Sequence, residues 1–283
     1  ARQRSGTQFD PTLVELFCSN AADLLSGLDG PSQWAQVIDA EPTLARVMTD
    51  PEFDVALEAI ADFIDLKSPY TLGHSRSVAD LSGAAARVLG LPDEDSVTVR
   101  RAGLVHDLGR LGVPNSIWDK PGPLTRSEME RVRLHPYLSE RMLSSAHALA
   151  PLAAIAVEHH ERMDGSGYPR GLNHVSISTP GRVLGAADCY ATSTEPRPHR
   201  AQLAPAEAAD ALRTQVRQGR LDADAVQAVL VAAGLGFDDE AISSPALRTS
   251  AASASWRVES NVFDVDCMFR ISRGAVPRLK KNT

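Results

Sequence analysis

Helix start signals recur along most of the chain, and they limit its fold more than any other feature of the sequence. Asp10 and Pro11 place an N-cap residue before a proline in the first helical turn. Thr125 and Glu128 have the spacing of a capping box at the start of another helix. No alternating apolar and polar run of useful length occurs between residues 67 and 234. The sequence therefore predicts an all-α fold, built as a helical bundle.

Composition agrees with a helical protein and limits its partners. Aromatic residues are only 5% of the chain, which favours helices over β-sandwiches. The net charge of −7 disfavours binding of the whole surface to nucleic acid or to an anionic membrane. Cys18, Cys189 and Cys267 are far apart and form neither a CxxC motif nor a disulfide framework, which favours a reducing compartment. Without a long apolar run or a signal-peptide pattern, we expect a cytoplasmic protein with no membrane partner.

The chain divides into three zones. Residues 1–66 are predicted to be a small helical region of unknown role, a packing or sensory element. Residues 67–234 are predicted to form a helical domain that is interrupted by one irregular, glycine-rich loop, DGSGYPRGL. Residues 235–283 have weak periodicity and a basic end, so we expect a weakly structured basic tail or a degenerate helix-turn-helix.

Histidines and aspartates gather at helix ends in the second zone. A single histidine there is as a rule a cap or a surface residue, so the prediction depends on their combination. Asp188 is more informative, because an ionised carboxylate in a mostly apolar helix needs a partner. Together these side chains offer enough nitrogen and oxygen donors for two cations in a helical bundle. The candidate ligands are His74, His106, Asp107, His135, His159, His160 and Asp188.

Seven sequence strings occur in a fixed order between residues 68 and 234: YTLGHS, HDLGRLGVP, KPGPLT, LHP, HHERMDGSGYPRGL, AAD and RPHR. The interval from His74 to His106 is 32 residues, and that from His106 to His135 is 29. In these strings and in these intervals the chain resembles the HD-GYP family, the phosphohydrolase branch of the HD superfamily that is associated with cyclic di-GMP hydrolysis. The resemblance implies an HD-domain helical bundle with an irregular GYP loop.

The resemblance also implies a two-metal centre. One cation is implied at the positions of His74, His106, Asp107 and Asp188. Asp107 bridges to a second cation, which is implied at His135, His159 and His160. Some members hold a third metal with a glutamate four residues before the first histidine, where this chain has Tyr70, so we expect two cations. The donors include no thiolate, and family precedent favours iron or manganese.

The implied reaction is hydrolysis of a cyclic dinucleotide, with cyclic di-GMP as the expected substrate. A water molecule between two cations loses a proton near neutral pH, and the bridging hydroxide attacks phosphorus in line. Asp107 and Arg110 are the implied catalytic residues. Substrate contacts are implied for Arg110, Gly167, Tyr168, Pro169, Arg197 and Arg200. For the last two arginines the alternative is a solvated loop, and for Tyr168 it is packing.

Two features keep a second function open. Arg110 stands where the family usually has a lysine, and an arginine cannot readily give up a proton. Residues 260–281 are faintly similar to the second half of a LuxR-type helix-turn-helix, so DNA is a partner only if this tail is a working reader. The alternative is therefore a catalytically impaired regulator that senses a nucleotide or binds DNA. A homodimer is the other expected partner.

Overall fold

The structure is a computed structural model that describes residues 1–26 and 47–235. The chain divides into two compact units, the first ending at Asp50 and the second beginning at Pro51. The predicted C-terminal tail, apart from Leu235, lies outside the described residues.

The first unit is helical in the part that is described. It contains a 3₁₀ turn, Arg2–Arg4, and the helices α1, Pro11–Ser19, and α2, Ala21–Leu25. The side chain of Asp10 accepts hydrogen bonds from the backbone amides at the start of α1, as the sequence predicts. The role of this unit stays a prediction.

The second unit contains ten further helices among the described residues. They are α3 (Asp50–Asp65), α4 (His74–Val88), α5 (Asp93–Val105), α6 (Asn115–Trp118), α7 (Arg126–Arg133), α8 (His135–Leu143), α9 (Ala150–Ala156), α10 (Thr179–Thr194), α11 (Pro205–Arg217) and α12 (Ala223–Ala232). A 3₁₀ turn, Leu108–Gly112, follows α5. Apart from isolated bridges, the described ranges contain no strand, which confirms the predicted all-α fold.

Helices α4 and α10 lie at the centre of this unit. Helix α4 packs against α5, α10 and α12, while α10 also contacts α5, α9 and α11. Small residues allow the close approach of α4 and α5, because a Cβ at Gly103 would lie only 2.7 Å from the Cα of Ala79. Leu57, Leu104 and Leu184 are fully buried in the surrounding core. Burial of such side chains provides most of the driving force for folding.

Helix α3 belongs with this larger unit, although the sequence assigned it to the N-terminal zone. It buries Leu57, Ala61 and Ile64, which share one face of the helix. The predicted boundary between residues 66 and 67 therefore falls inside the unit. No described helix has the length and apolar character needed to cross a bilayer.

Candidate metal centre

The seven predicted ligands lie together in one buried cluster. Each of these side chains belongs to a residue that is no more than 4% exposed. The atoms that could bind metal fall into three overlapping groups, each with all atoms within 4.8 Å of one another. The groups are His74, His106 and Asp188; His106, Asp107 and His159; and His135, His159 and His160. The structure thus brings together donors that are distant along the chain, six from residues at or near helix ends and Asp188 from within a helix.

Asp107 lies between two pairs of histidines. Its Oδ1 is 3.2 Å from Nε2 of His135 and 3.7 Å from Nε2 of His159. Its Oδ2 is 3.6 Å from Nε2 of His106 and 3.8 Å from Nε2 of His74. Because each oxygen faces a different pair, one carboxylate is able to bridge two cations.

Asp188 completes the cluster from the middle of α10. Its Oδ1 lies 3.4 Å from Nε2 of His74 and 4.0 Å from Nε2 of His106. Its Oδ2 lies 4.0 Å from Nδ1 of His160. One turn further along α10, the hydroxyl of Thr192 donates a hydrogen bond of 3.1 Å to Oδ1 of Asp188. The predicted partners for this buried carboxylate are therefore histidines of the same cluster.

Backbone carbonyls fix the rings of His106, His135 and His159. In each ring Nδ1 is the donor, because a carbonyl oxygen can only accept. The acceptors, three residues earlier in each case, are Gly103 at 2.7 Å, Val132 at 2.6 Å and Ala156 at 2.6 Å. The lone pair of each ring is consequently on Nε2, which points into the cluster. This orientation by an outer hydrogen bond is typical of metal-binding histidines.

The unpartnered ring nitrogens fit cations. Nε2 of His106 and Nε2 of His160 are buried and have no hydrogen-bond partner in the described part of the chain. Nε2 of His135 lies 3.1 Å from Nε2 of His159, although both rings already carry their proton on Nδ1. Two lone pairs at this distance repel each other unless a positive charge lies near both. The donor set therefore suits a cation centre.

The two carboxylates are held in their ionised form. Burial alone raises the pKa of Asp107, but the guanidinium group of Arg110 outweighs it, so that this pKa lies well below its usual range. Burial likewise raises the pKa of Asp188, and the hydrogen bond with His74 outweighs it, so that this pKa also lies well below its usual range. Both side chains are ready to accept a cation at neutral pH.

Two of the histidines are held neutral. Burial lowers the pKa of His159 to about 3, and the neighbouring rings of His106 and His135 contribute to this shift. Burial also lowers the pKa of His160 well below its usual range. Neutral imidazole is the form that binds metal.

His74 differs from the other ligands in its outer partner. Its Nδ1 lies 2.9 Å from Oε2 of Glu195, which follows the end of α10. Burial lowers the pKa of His74, but hydrogen bonds with Asp188 and Glu195 outweigh it and raise this pKa to about 9. Glu195 is in turn paired with Arg197, whose Nη2 lies 2.9 Å from the same carboxylate oxygen.

Arg110 lies beside the cluster, as predicted. Its Nη1 donates a hydrogen bond of 2.9 Å to Oδ2 of Asp107. The guanidinium carbon is 4.0 Å from the ring centroid of Trp118, a cation–π contact, and Arg110 is only 6% exposed. Trp118 also makes an edge contact with the ring of His135. The arginine is thus held in one place by a carboxylate and an aromatic ring.

The GYP loop packs directly against His160. The ring of Tyr168 lies 4.7 Å from the ring of His160, at an angle of 31°. Its amide donates to the carbonyl of the same histidine at 3.1 Å. Gly167 allows this approach, because a Cβ there would lie 2.4 Å from the amide nitrogen of Arg162. Pro169 follows Tyr168 through a cis peptide bond.

Glu161 holds the far side of this loop. Its Oε1 accepts a hydrogen bond of 2.8 Å from the amide of Arg170, and its Oε2 accepts one of 2.7 Å from the amide of Leu172. The side chain is almost completely buried, with 4% exposure. The residue next to a metal-ligand candidate thus fixes the backbone that follows the GYP motif.

The two predicted substrate arginines make hydrogen bonds within the chain. Arg197 donates to Glu195, to the hydroxyl of Thr192 and to the carbonyl of Tyr70. Arg200 donates to the carbonyls of Thr192, Ser193 and Glu195 at the carboxyl end of α10. Both guanidinium groups therefore order the segment after α10, and neither belongs to a solvated loop. Their predicted contact with substrate stays a prediction.

Sequence reasoning missed four residues that support the site. They are Trp118, Ser139, Glu161 and Glu195. Ser139 lies one turn after His135 on α8, and Glu161 directly follows His160, so spacing could have pointed to both. No local signal marks Glu195 as a partner of His74.

A family model described as HD domain matches residues 58–225, which is more than half of the chain. The chain belongs to the HD domain family. The matched residues include all seven ligand candidates and the GYP loop. The described helices and the ligand cluster agree with this assignment.

Relatives of this HD domain include named phosphodiesterases of cyclic dinucleotides. The 3'3'-cGAMP-specific phosphodiesterase 3 of Vibrio cholerae is 39% identical over 203 residues, 71% of this chain and 44% of that protein. A cyclic di-GMP phosphodiesterase of Pseudomonas aeruginosa is 33% identical over 231 residues, 78% of this chain and 54% of that protein. The chain thus spans about half the length of these curated relatives.

A solved structure of a phosphodiesterase is also similar to this chain. The crystal structure of a cyclic GMP-AMP specific phosphodiesterase of Vibrio cholerae matches with a TM-score of 0.51 and 32% identity. The match covers 84% of this chain and 55% of that chain. Together with the relatives, it confirms the predicted resemblance to the HD-GYP family. The similarity to a LuxR-type tail concerns residues outside the described ranges.

Proposed function

We propose that this chain is a metal-dependent phosphodiesterase that hydrolyses a cyclic dinucleotide. The observation that carries the proposal is the position of Asp107, whose two carboxylate oxygens face two different pairs of histidines. This is the arrangement that a two-metal phosphodiesterase needs. Support for the substrate class comes from the names of the relatives, which include cyclic GMP-AMP and cyclic di-GMP.

Two divalent cations, iron or manganese, are the proposed cofactors. Imidazole and carboxylate donors without a thiolate support this choice. When bound, such a pair acidifies a water molecule and neutralises negative charge on a phosphodiester. The chain itself holds the lone pairs of His106, His135 and His159 toward the centre, through the hydrogen bonds of Nδ1 to backbone carbonyls.

The chain also supplies fixed groups for the substrate. Arg110 has its guanidinium group anchored by Asp107 and Trp118, and we propose that its remaining N–H groups bind a phosphate oxygen. Tyr168 stands against His160, where it would line the substrate pocket. Further substrate contacts are proposed for Gly167, Pro169, Arg197 and Arg200.

A turnover assay tests this proposal. The 283-residue chain is loaded anaerobically with Fe²⁺ or Mn²⁺, and products from cyclic di-GMP and 3'3'-cGAMP are separated by chromatography. We expect turnover of at least one of these compounds. The double variant His106→Ala, Asp107→Ala should lose bound metal and turnover together. Activity that survives in this variant would refute the assigned centre.

The pairing of Arg110 with Asp107 favours a second function. A permanent cation paired with Asp107 cannot readily transfer a proton, which would suit a sensor that binds a cyclic dinucleotide without cleaving it. Calorimetry of the metal-loaded chain with cyclic di-GMP distinguishes the two functions. Tight binding without product would support the sensor, and product formation would exclude it.

The cellular location and the macromolecular partners of the chain are also proposals. We propose a cytoplasmic protein, supported by the three widely spaced cysteines, and a homodimer. DNA is proposed as a partner only if the C-terminal tail is a functional DNA-binding motif.

A further inference from the structure

His74 is placed differently from the other histidines of the cluster. It is the first residue of α4, and the residues before it are not helical. The carbonyl of Thr71, three residues earlier, accepts from the backbone amide of His74 at 3.0 Å. The ring of His74 turns instead to the carboxylate of Glu195, which is 121 positions away in the sequence. A carboxylate therefore takes the place that a backbone carbonyl has at the rings of His106, His135 and His159.

Glu195 is itself held by Arg197, which makes further contacts near the cluster. Nη2 of Arg197 lies 2.9 Å from the oxygen that faces His74. The same guanidinium group donates to the carbonyl of Tyr70, in the segment before α4, and to the hydroxyl of Thr192. Thr192 in turn donates to Asp188. Both His74 and Asp188 are thus connected to one buried arginine.

The two halves of the cluster also differ in charge. The half that contains His74 and His106 includes the carboxylate of Asp188, and Glu195 lies directly behind it. The other half is formed by three imidazoles. Asp107 is shared by both halves. Arg110 and Arg197 pair with Asp107 and Glu195 and offset part of this negative charge. The half with His74 still contains an anionic donor, Asp188, that the group of three imidazoles lacks, and a divalent cation is attracted more strongly to an anionic donor.

We propose that Glu195 is a positioning residue, which fixes the ring of His74 and gives the His74 half of the centre the higher cation affinity. This inference rests on the proposed two-cation centre. Arg197 holds the Glu195 carboxylate in place and acts on the cation only through it. The carboxylate–histidine pair raises the basicity of the ligand nitrogen and removes the freedom of the ring to rotate.

Titration of the chelator-treated chain with Mn²⁺ alone tests the inference, with free Mn²⁺ measured by electron paramagnetic resonance. We expect two ions per chain with unequal affinities. Glu195→Ala should lower the Mn²⁺ affinity of the tighter class of site 10- to 100-fold, the range typical when an outer partner of a metal ligand is removed. The affinity of the weaker class of site should not change. Glu195→Gln should lose less, since its amide oxygen still accepts from Nδ1. Glu207→Gln, which removes the charge of an exposed helix-cap carboxylate, is the matched control and should bind as the unchanged chain does.

A second variant tests whether the tighter Mn²⁺ site lies in the half of the centre that contains His74. His160→Ala should leave one Mn²⁺ site, and Glu195→Ala in that background should still weaken it 10- to 100-fold. Equal affinities in Glu195→Ala and the unchanged chain would overturn the inference. A uniform loss from both classes would also overturn it, because it would indicate a general effect on folding. If the unchanged chain binds fewer than two ions, the two-cation proposal itself fails.

A double-variant cycle tests the role of Arg197. Arg197→Met alone should weaken the tighter class, because Glu195 loses the group that holds it. Added to Glu195→Ala, it should have almost no further effect, since both act through one contact. Additive losses would show that Arg197 acts on the cation by another route, and would contradict this part of the inference. Since no nucleotide is present, substrate binding does not enter the measurement.

Discussion

The hydroxyl of Ser139 donates a hydrogen bond of 2.6 Å to the main-chain carbonyl of His106. The same oxygen accepts a hydrogen bond of 2.8 Å from the amide of Gly109. One small side chain on α8 therefore satisfies two backbone groups on either side of Asp107. This contact fixes the segment that contains His106 and Asp107 against the helix that begins with His135.

Replacing this serine should loosen the motif. In Ser139→Ala the carbonyl of His106 and the amide of Gly109 remain buried without their partner, and we expect a loss of about 1–3 kcal/mol in the free energy of unfolding. Urea unfolding of the metal-free chain measures the loss. Ser127→Ala on α7, which is exposed, is the control. A stability equal to that of the unchanged chain would mean that the contact contributes nothing.

Gly109 should not tolerate a side chain. A Cβ at this position would lie 2.0 Å from the carbonyl oxygen of His135 and 2.5 Å from the amide of Ser139. We therefore expect Gly109→Ala to destabilise the chain by about 3 kcal/mol or more, at the upper end of overpacking effects. Gly122, which has no atom within 4 Å of such a Cβ, is the matched control. Thermal unfolding of both variants provides the comparison, and equal transition temperatures would contradict the expectation.

Exchange of Arg110 for lysine tests what the arginine contributes. Lysine keeps the charge but loses the planar stacking on Trp118 and the fixed orientation toward Asp107. We expect Arg110→Lys to lower kcat/KM about tenfold, which corresponds to about 1.4 kcal/mol. Trp118→Leu should have a similar effect, because it removes the surface that orients the guanidinium group. A faster Arg110→Lys variant would instead show that the arginine impairs catalysis.

Glu161 should act on substrate through the GYP loop. In Glu161→Gln one of the two backbone amides, of Arg170 or Leu172, faces an NH₂ group and loses its acceptor. An unpaired buried amide costs about 1–3 kcal/mol, which destabilises the ordered conformation of the loop. We therefore expect the KM for the cyclic dinucleotide to rise about tenfold. The number of bound metal ions should stay the same. Steady-state kinetics with metal analysis gives both quantities, and Ser166→Ala at the exposed loop tip is the control. An unchanged KM would contradict this role.

Asp65 should make the chain less stable as the pH rises through the acidic range. Burial raises its pKa, although Ser75 donates two hydrogen bonds to it, so the folded chain holds this proton more tightly than the unfolded chain. Stability therefore falls as the pH increases from about 3.8 through the folded-state pKa. Asp65→Asn should lack this fall, which denaturant unfolding of the metal-free variant from pH 3.5 to pH 7 would detect.

Asp62, three residues earlier on α3, provides a control of opposite sign. Arg76 lowers its pKa, so its contribution to stability is present above the unfolded-state pKa and is lost as the pH falls through the folded-state value. Comparison of Asp62→Asn with the unchanged chain should therefore show a difference that grows as the pH rises. Parallel pH profiles for the two variants would refute the assignment of either shift.

The ligand candidates were predictable because metal chemistry restricts residue types. A centre of this kind needs imidazole and carboxylate donors, and helix ends place such donors where several helices of the bundle meet. The dipeptides His106-Asp107 and His159-His160 therefore stand out in the sequence. The boundary of the larger unit was less predictable, because the burial of Leu57 and Ile64 on α3 depends on the helices that cover them.

The sequence was enough to predict the helical class, seven candidate ligands and the position of the GYP loop. Each of these depends on local signals: caps, periodicity, and residue types at motif spacing. Tertiary structure alone decided that Glu195 faces His74, that Ser139 joins the two sides of Asp107, and that Arg197 and Arg200 are engaged within the chain. Contacts such as the first of these join side chains that are 121 positions apart, and only the packing of α4 against α10 brings them within hydrogen-bond distance.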